Sequence, residues 1–236
     1  MAKKLEEDYF KFLKNKEVIL VAPAGYLDDM NKGKEIDSFD LVIRLNQAIP
    51  INNIEDRGER TDILYHTLFN RPQIYKEEKF LGKKDLINKQ DVSLWKDQGV
   101  KWLITYEHGL WKKRTKLVKE YLNKISWTTI PFSLCNLIKK NMNTIPNTGI
   151  CAIVHLLCAD IKSLHITGFD FHTTGAYYFK DNGKFSSVRE LSEQWHNTNF
   201  QIKYLREIWL NDDRLIIDDK IKEILSKKIA RRLPPL

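Results

Sequence analysis

Val18-Ile19-Leu20-Val21-Ala22 is an unbroken apolar run, closed by Pro23-Ala24-Gly25. Five consecutive apolar residues leave no polar face, so a strand made of them must be covered on both sides, as in a parallel sheet lying between helices. Outward along the chain, residues 41–45, 62–65, 101–105, 127–130 and 163–167 are further short β-branched or aromatic runs bounded by polar or turn residues, and each reads as a strand. The stretches between them change period. Leu5, Tyr9, Phe12 and Leu13 predict a helix over 2–14; Leu110, Leu117, Val118 and Leu122 predict one over 110–125. Residues 149–160 are nearly all apolar, and Phe200, Tyr204, Leu205 and Ile208 align over 196–210. Strands alternating with helices imply an α/β fold with a mainly parallel sheet flanked by helices. Residues 70–92 are polar and carry no clear period, which suits an insertion or a loop near a site.

The 236 residues, 42% hydrophobic and 11% aromatic, supply one sizeable core, so 1–236 reads as a single domain and intrinsic disorder is excluded. The longest near-apolar run, 150–159, is interrupted by His155 and is about half the ~20 residues that a bilayer span needs. Acids at Glu6, Glu7 and Asp8 stand where a secretory signal would be apolar. The expectation is a cytoplasmic protein, with Cys135, Cys151 and Cys158 as reduced and mostly buried thiols. A net charge of +8, concentrated in 112–124 and 220–232, favours anionic partners. Nucleic acid, an anionic membrane and a phosphorylated small molecule all qualify, as does the plain alternative of solvated lysine-rich helix faces.

No Gly-x-Gly-x-x-Gly follows the first strand, and no Gly-x-x-x-x-Gly-Lys-Ser/Thr, His-Glu-x-x-His or Gly-x-Ser-x-Gly occurs. The paired acids Asp28-Asp29, Asp212-Asp213 and Asp218-Asp219 read as turns or helix starts rather than a metal site. Three segments remain. The first runs from the apolar strand through Gly25 to Ile36-Asp37-Ser38-Phe39-Asp40-Leu41-Val42-Ile43-Arg44-Leu45-Asn46 and on to Asp56-Arg57-Gly58-Glu59-Arg60-Thr61-Asp62. Gly25 permits a tight turn, and Asn46 at a strand's carboxyl end both donates and accepts, which suits a ribose or phosphate. Arg44, in mid-strand, reads as structural and in need of a partner such as Asp37, Asp40 or Asp56. The second segment is Pro146-Asn147-Thr148-Gly149, where Asn147 or Thr148 would cap the apolar helix and leave N–H groups for an anion. It is followed by a strand ending in Gly168-Phe169-Asp170. The third is Trp195-His196-Asn197-Thr198-Asn199-Phe200-Gln201, in which His196 is a candidate proton acceptor.

Taken in order, these segments, at about 17–62, 145–170, 172–180 and 195–201, resemble the sialylmotifs of the sialyltransferases, glycosyltransferase family 29. The resemblance implies a Rossmann-like, GT-A-variant sandwich and a metal-independent inverting transferase without cofactor. Its donor is a CMP-activated sialic acid or related ulosonate, and its acceptor a glycan hydroxyl. It further implies that Asn46 holds the nucleotide with Asn147, Thr148 and Gly149 at the helix start. Gly168, Phe169 and Asp170 then line the donor pocket, and His196 is the general base. Tyr177 and Tyr178, in a stretch similar to the family's third motif, offer a hydroxyl to the leaving phosphate, with His172 as a rival. Two departures stand out: Pro23 occupies a place where the family commonly has Asn, and Gln201 replaces an acid. No cysteine near Val18 supplies the disulfide of secretory-pathway members, which suggests a soluble microbial or viral relative in a reducing cytosol. No nucleic-acid partner is expected from the resemblance, while the basic helices themselves allow peripheral contact with an anionic membrane. Two other readings are a CMP- or nucleotide-binding module without catalysis, and a basic nucleic-acid- or membrane-surface protein.

Overall fold

The structure, a computed structural model, describes residues 2–69, 86–106, 109–171 and 196–227. Its centre is one sheet of seven parallel strands: β1 (Glu17–Val21), β2 (Leu41–Leu45), β3 (Ile63–Tyr65), β4 (Trp102–Tyr106), β5 (Ser126–Ile130), β6 (Ser163–Thr167) and β7 (Leu215–Ile217). Six lie where the apolar runs predict them. The seventh, Leu215-Ile216-Ile217, is too short to show a period of its own and pairs with the edge of β6.

Side chains alternate between two faces, as strand geometry requires. Val18, Leu20, Leu41, Ile43, Trp102 and Ile104 pack on one side, with Tyr9 and Leu13 of α1 (Ala2–Leu13), Ile138 of α6 (Phe132–Met142) and α7 (Thr148–Leu157). Leu205 of α8 (Thr198–Asn211) and Ile221 and Leu225 of α9 (Asp219–Ser226) complete that layer. On the other face Ile19, Val21 and Val42 meet Ile36 of α2 (Gly33–Asp37), and α3 (Ile54–Arg57) follows β2. Leu64 and Leu103 meet Trp95 of α4 (Lys89–Asp97) and Val118 and Leu122 of α5 (Gly109–Leu122). Helix α4 falls partly in the stretch left unassigned by sequence. Its start is fixed by a capping box, in which Asn88 Oδ1 accepts from the Gln90 and Asp91 N–H groups while Asp91 accepts from the Asn88 N–H.

The strand order β5-β4-β3-β2-β1-β6-β7 places the reversal of winding between β1 and β6. Helices diverge there, and the crevice outside the carboxyl ends of those strands is where α/β sheets of this type bind ligands. The residues that open that crevice are Ala22 to Gly25 after β1, Asn46 after β2 and Gly168 to Asp170 after β6.

No helix among the described residues is long and apolar enough to cross a membrane. All three cysteines are thiols, with Cys135 and Cys151 buried and Cys158 exposed. The described part of the basic 220–232 stretch carries its own counter-charges: Lys220 and Lys227 pair with Glu223 at 2.9 and 2.8 Å, and Lys222 with Asp219 at 3.1 Å.

Candidate active site

The charged residues of the first segment are spent on scaffold. Arg44 donates to the carbonyls of Arg57 (2.6 Å), Gly58 (3.1 Å) and Arg60 (3.1 Å) and to the Thr61 hydroxyl (3.1 Å). Three of these four acceptors are main-chain oxygens and the fourth is a hydroxyl, where the sequence suggested Asp37, Asp40 or Asp56. Asp37 accepts from the Glu59 and Arg60 N–H groups, Asp56 from those of Asp29 and Asn31, and Asp62 from Val42 N–H, Arg60 and Lys101. Arg57, itself buried, donates to the Ala24 carbonyl and to Asp28, each at 2.8 Å, and so braces the turn that leaves β1. That turn is a short 3-10 stretch, Gly25–Leu27, in which Gly25 does not use a left-handed backbone.

What these bonds hold in place is Asn46. It adopts a left-handed backbone (φ 51°) at the end of β2. Its Oδ1 accepts from the Thr67 N–H at 3.2 Å, and its Nδ2 donates to the Thr148 hydroxyl at 3.4 Å. The ends of β2 and β3 and the start of α7 thus meet at one amide. Asn147 caps α7, its Oδ1 accepting from Ile150 N–H at 2.8 Å. Gly149 is there because no side chain fits: a Cβ would stand 2.1 Å from the ring of Phe169. Phe169 therefore lies on the first turn of α7 and also packs edge-on against Phe171, within the core.

Gly168 has φ 70°, and a Cβ there would meet the Ala22 carbonyl oxygen at 2.1 Å. Its carbonyl accepts from Ala24 N–H at 3.0 Å and its N–H donates to the Tyr26 hydroxyl at 2.7 Å. Tyr26 passes that hold to Asp218, which also accepts from Thr167 and caps α9 through Ile221 N–H. Burial, then the Asp218 charge, pushes the Tyr26 phenol well up, so it stays a donor. Asp170 is buried beside these residues, 2% exposed.

His196 stands just before α8, half-buried, and its Nδ1 lies 2.8 Å from the Ile145 carbonyl. Asn197 N–H donates to the Thr144 hydroxyl at 3.3 Å, and Gln201, 1% exposed, accepts from Asn147 N–H at 3.3 Å. Three bonds therefore fasten the His196 segment to residues 144–147, immediately before Thr148. Burial lowers the imidazole below the ordinary histidine value, with the Ile145 bond opposing.

Of the predicted site residues, Asn46, Asn147, Thr148 and Gly149 are joined by direct contacts to one another or to the same turn. Gly168 and Phe169 meet them through the Gly149 contact, and His196 through residues 144–147. His172, Tyr177 and Tyr178 lie outside the described residues. Sequence reading missed Tyr26, Thr67 and Asp218. Only Asp218 carried a signal, as half of an acid pair read as a helix start, while Thr67 follows a three-residue strand with no pattern. Among the described residues, the Thr67 hydroxyl is buried without a hydrogen-bond partner, next to Asn46. Among those residues no group of three or more His, Cys, Asp or Glu side chains is placed to hold a metal ion.

The model of glycosyltransferase family 29 (sialyltransferase) matches residues 3–211. The human type 2 lactosamine alpha-2,3-sialyltransferase is 23% identical over 223 residues, covering 85% of this chain and 64% of its own. The mouse CMP-N-acetylneuraminate-beta-1,4-galactoside alpha-2,3-sialyltransferase is 25% identical over 217 residues, covering 80% and 54%. The chain thus spans less than two thirds of the length of these relatives. Among solved structures, the sialyltransferase CstII from Campylobacter jejuni, in complex with cytidine-5'-monophosphate, superposes with a TM-score of 0.53 at 13% identity, covering 86% of this chain and 80% of that one. A mammalian sialyltransferase gives 0.51 at 14% identity, covering 92% and 79%. Both likenesses are of fold. With the family model matched from the first helix to the end of α8, the chain belongs to glycosyltransferase family 29, the sialyltransferases.

Proposed function

We propose that this protein transfers a sialic acid or related ulosonate from a CMP-activated donor to a glycan hydroxyl, with inversion, without a metal ion, and with His196 as general base. The observation that carries the proposal is the bond from His196 Nδ1 to the Ile145 carbonyl. A carbonyl only accepts, so Nδ1 must bear the proton, and in the neutral ring Nε2 is left with its lone pair. The lowered pKa favours that neutral ring at pH 7. Nε2 takes the proton from the acceptor hydroxyl as its oxygen attacks the anomeric carbon. The bond from that carbon to the phosphate oxygen breaks, and CMP leaves with the electron pair.

The leaving phosphate needs donors. The start of α7, with the Thr148 and Gly149 N–H groups and its positive dipole end, the Thr148 hydroxyl and the Asn46 amide are grouped at one place. A hydroxyl of Tyr177 or Tyr178, or His172, completes the proposed set. The names of the relatives supply the substrates of the proposal: CMP-N-acetylneuraminate and a galactoside from the mouse enzyme, and cytidine-5'-monophosphate from the CstII complex. Gln201 keeps an acceptor oxygen on Asn147 N–H, so replacing the acid leaves the two motifs coupled, which favours an enzyme over an inactive binding module. The three thiols are the support for placing the protein in a reducing compartment, the cytoplasm.

The test follows CMP release from CMP-N-acetylneuraminate with a galactoside acceptor. His196→Ala is expected to lower kcat by at least about 100-fold, with CMP binding and Tm unchanged, and a chelator to have no effect. Full activity in His196→Ala would overturn the base assignment. Tight CMP binding by the wild type with neither donor hydrolysis nor transfer would overturn the enzyme reading.

A further inference from the structure

Beside the His196 segment lies a groove of about 540 Å³, lined by Asn136, Lys139, Lys140, Asn143, Thr144 and Ile145. The first four are spaced i, i+3, i+4 and i+7, so they form one face of α6 running into its left-handed end at Asn143 (φ 53°). The last two are the residues that hold the proposed base. Thr144 accepts from Asn197 N–H and the Ile145 carbonyl accepts from His196. The wall of the groove and the peg of the imidazole are therefore the same two residues.

The lining is unbalanced in charge. It holds two ammonium groups, two carboxamides and a hydroxyl, and no carboxylate. Neither Lys139 nor Lys140 forms an ion pair among the described residues, whereas the nearby Lys203 of α8 has Glu207 at 3.8 Å. Lysines in the last turn of a helix also complement its dipole, but that role is served equally by lysines facing away from a concavity. It does not call for amide and hydroxyl donors gathered on the same side.

We propose that this groove binds a negatively charged group, a carboxylate or a phosphate, carried by the acceptor saccharide. The acceptor would then be an already acidic glycan, anchored by Lys139 and Lys140 so that its free hydroxyl reaches His196. The substrate role rests on the transfer reading above; the anion site itself does not, and the experiment separates the two. Equilibrium binding of lactose, a sialylated lactose and a lactose phosphate is measured at low and high salt, on the wild type and on the Lys139→Gln/Lys140→Gln protein. Both lysines are exposed, so the fold survives the change. At least one acidic sugar is expected to bind tenfold or more tighter than lactose at low salt, with an advantage that shrinks as salt rises and is lost in the double variant. A gain for the sialylated sugar alone assigns a carboxylate, and for the phosphate alone a phosphate. Equal binding of all three sugars, or a double variant that keeps the preference, overturns the proposal. In turnover, the double variant is expected to raise KM for the acidic acceptor tenfold while kcat and donor hydrolysis hold. A selective groove in a protein that turns over no CMP-sugar would refute the transfer reading while sustaining the anion site.

Discussion

Acidification should destabilise this fold through two buried histidines, well above the pH at which carboxylates begin to protonate. His155 and His66 are 0% and 2% exposed, and burial holds each pKa down to about 3. His155 Nδ1 lies 3.0 Å from the Tyr65 hydroxyl, which in turn lies 2.9 Å from that of Tyr9, and its Nε2 has no hydrogen-bond partner among the described residues. His66 Nδ1 accepts from Leu68 N–H at 2.8 Å, so a proton on that nitrogen would turn an acceptor into a donor facing a donor. In the unfolded chain both rings titrate near 6.5, so below that pH the unfolded state binds more protons and stability falls, levelling off only below about 3. pH 5 lies about 1.5 units below the unfolded value of each ring and above its folded value, which costs about 2 kcal/mol apiece and about 4 kcal/mol together. Against a total stability on the order of 5–15 kcal/mol this is a large fraction. Urea unfolding at pH 7.5 and 5.0 measures it, and the midpoint is expected to fall by about 1 M or more. His155→Leu and His66→Gln are each expected to remove about 2 kcal/mol of the difference between the two pH values, whatever they do to stability at pH 7.5. If the double variant loses as much stability on acidification as the wild type, the reasoning fails.

The same sign applies at His196 with a catalytic readout: the acid limb of kcat/KM is expected to fall below the ordinary histidine value of about 6.5, because burial lowers the base. A limb above that value in a pH-rate profile would contradict the burial of the ring. Gly168→Ala must place a Cβ 2.1 Å from a backbone oxygen at φ 70°. The left-handed backbone alone costs about 1–2 kcal/mol, so thermal unfolding should show Tm lower by at least about 2–8 °C. Gln201→Leu leaves Asn147 N–H without its acceptor and should cost about 1–2 kcal/mol and raise KM for the CMP donor; Gln201→Glu, which keeps the oxygen, should hold that KM near the wild-type value.

The fold was legible wherever burial on both faces left its mark in composition. Val18 to Ala22 read as a covered strand because every residue in it touches a helix layer or the turn. β7 was invisible because its three residues sit between charged neighbours, Asp212 to Arg214 and Asp218 to Lys220, and its pairing with β6 is a tertiary fact. α4 was hidden by charge: its apolar face is only Val92 and Trp95 within a polar helix, and Asn88 and Asp91, which start it, read as ordinary loop residues until their reciprocal bonds are seen. The candidate site was legible as a list of residues but not as a contact map. Asn46 and Thr148 are 102 positions apart, and nothing local to either says that they share a hydrogen bond.

The division of labour within the first motif follows from that contact map. Its most conspicuous residues are charged, and a reader looking for chemistry would choose Arg44, Asp37 or Arg60. Yet Arg44 is 1% exposed and surrounded by carbonyls, and Arg60 donates to the carbonyls of Asp37, Phe39 and Asp40. A buried guanidinium with oxygens at several of its N–H groups is costly to move, so it fixes the path of the chain from β2 to β3. That fixed path allows Asn46 to hold a left-handed backbone, which costs free energy in isolation, and to span from Thr67 to Thr148. The neutral residue at the strand end is the one on which three segments converge, and the charges around it determine where it stands. The third segment repeats the pattern without charge. Asn197 and Gln201 bind the chain before α7, and the His196 ring has one nitrogen committed to a carbonyl and the other without a hydrogen bond among the described residues.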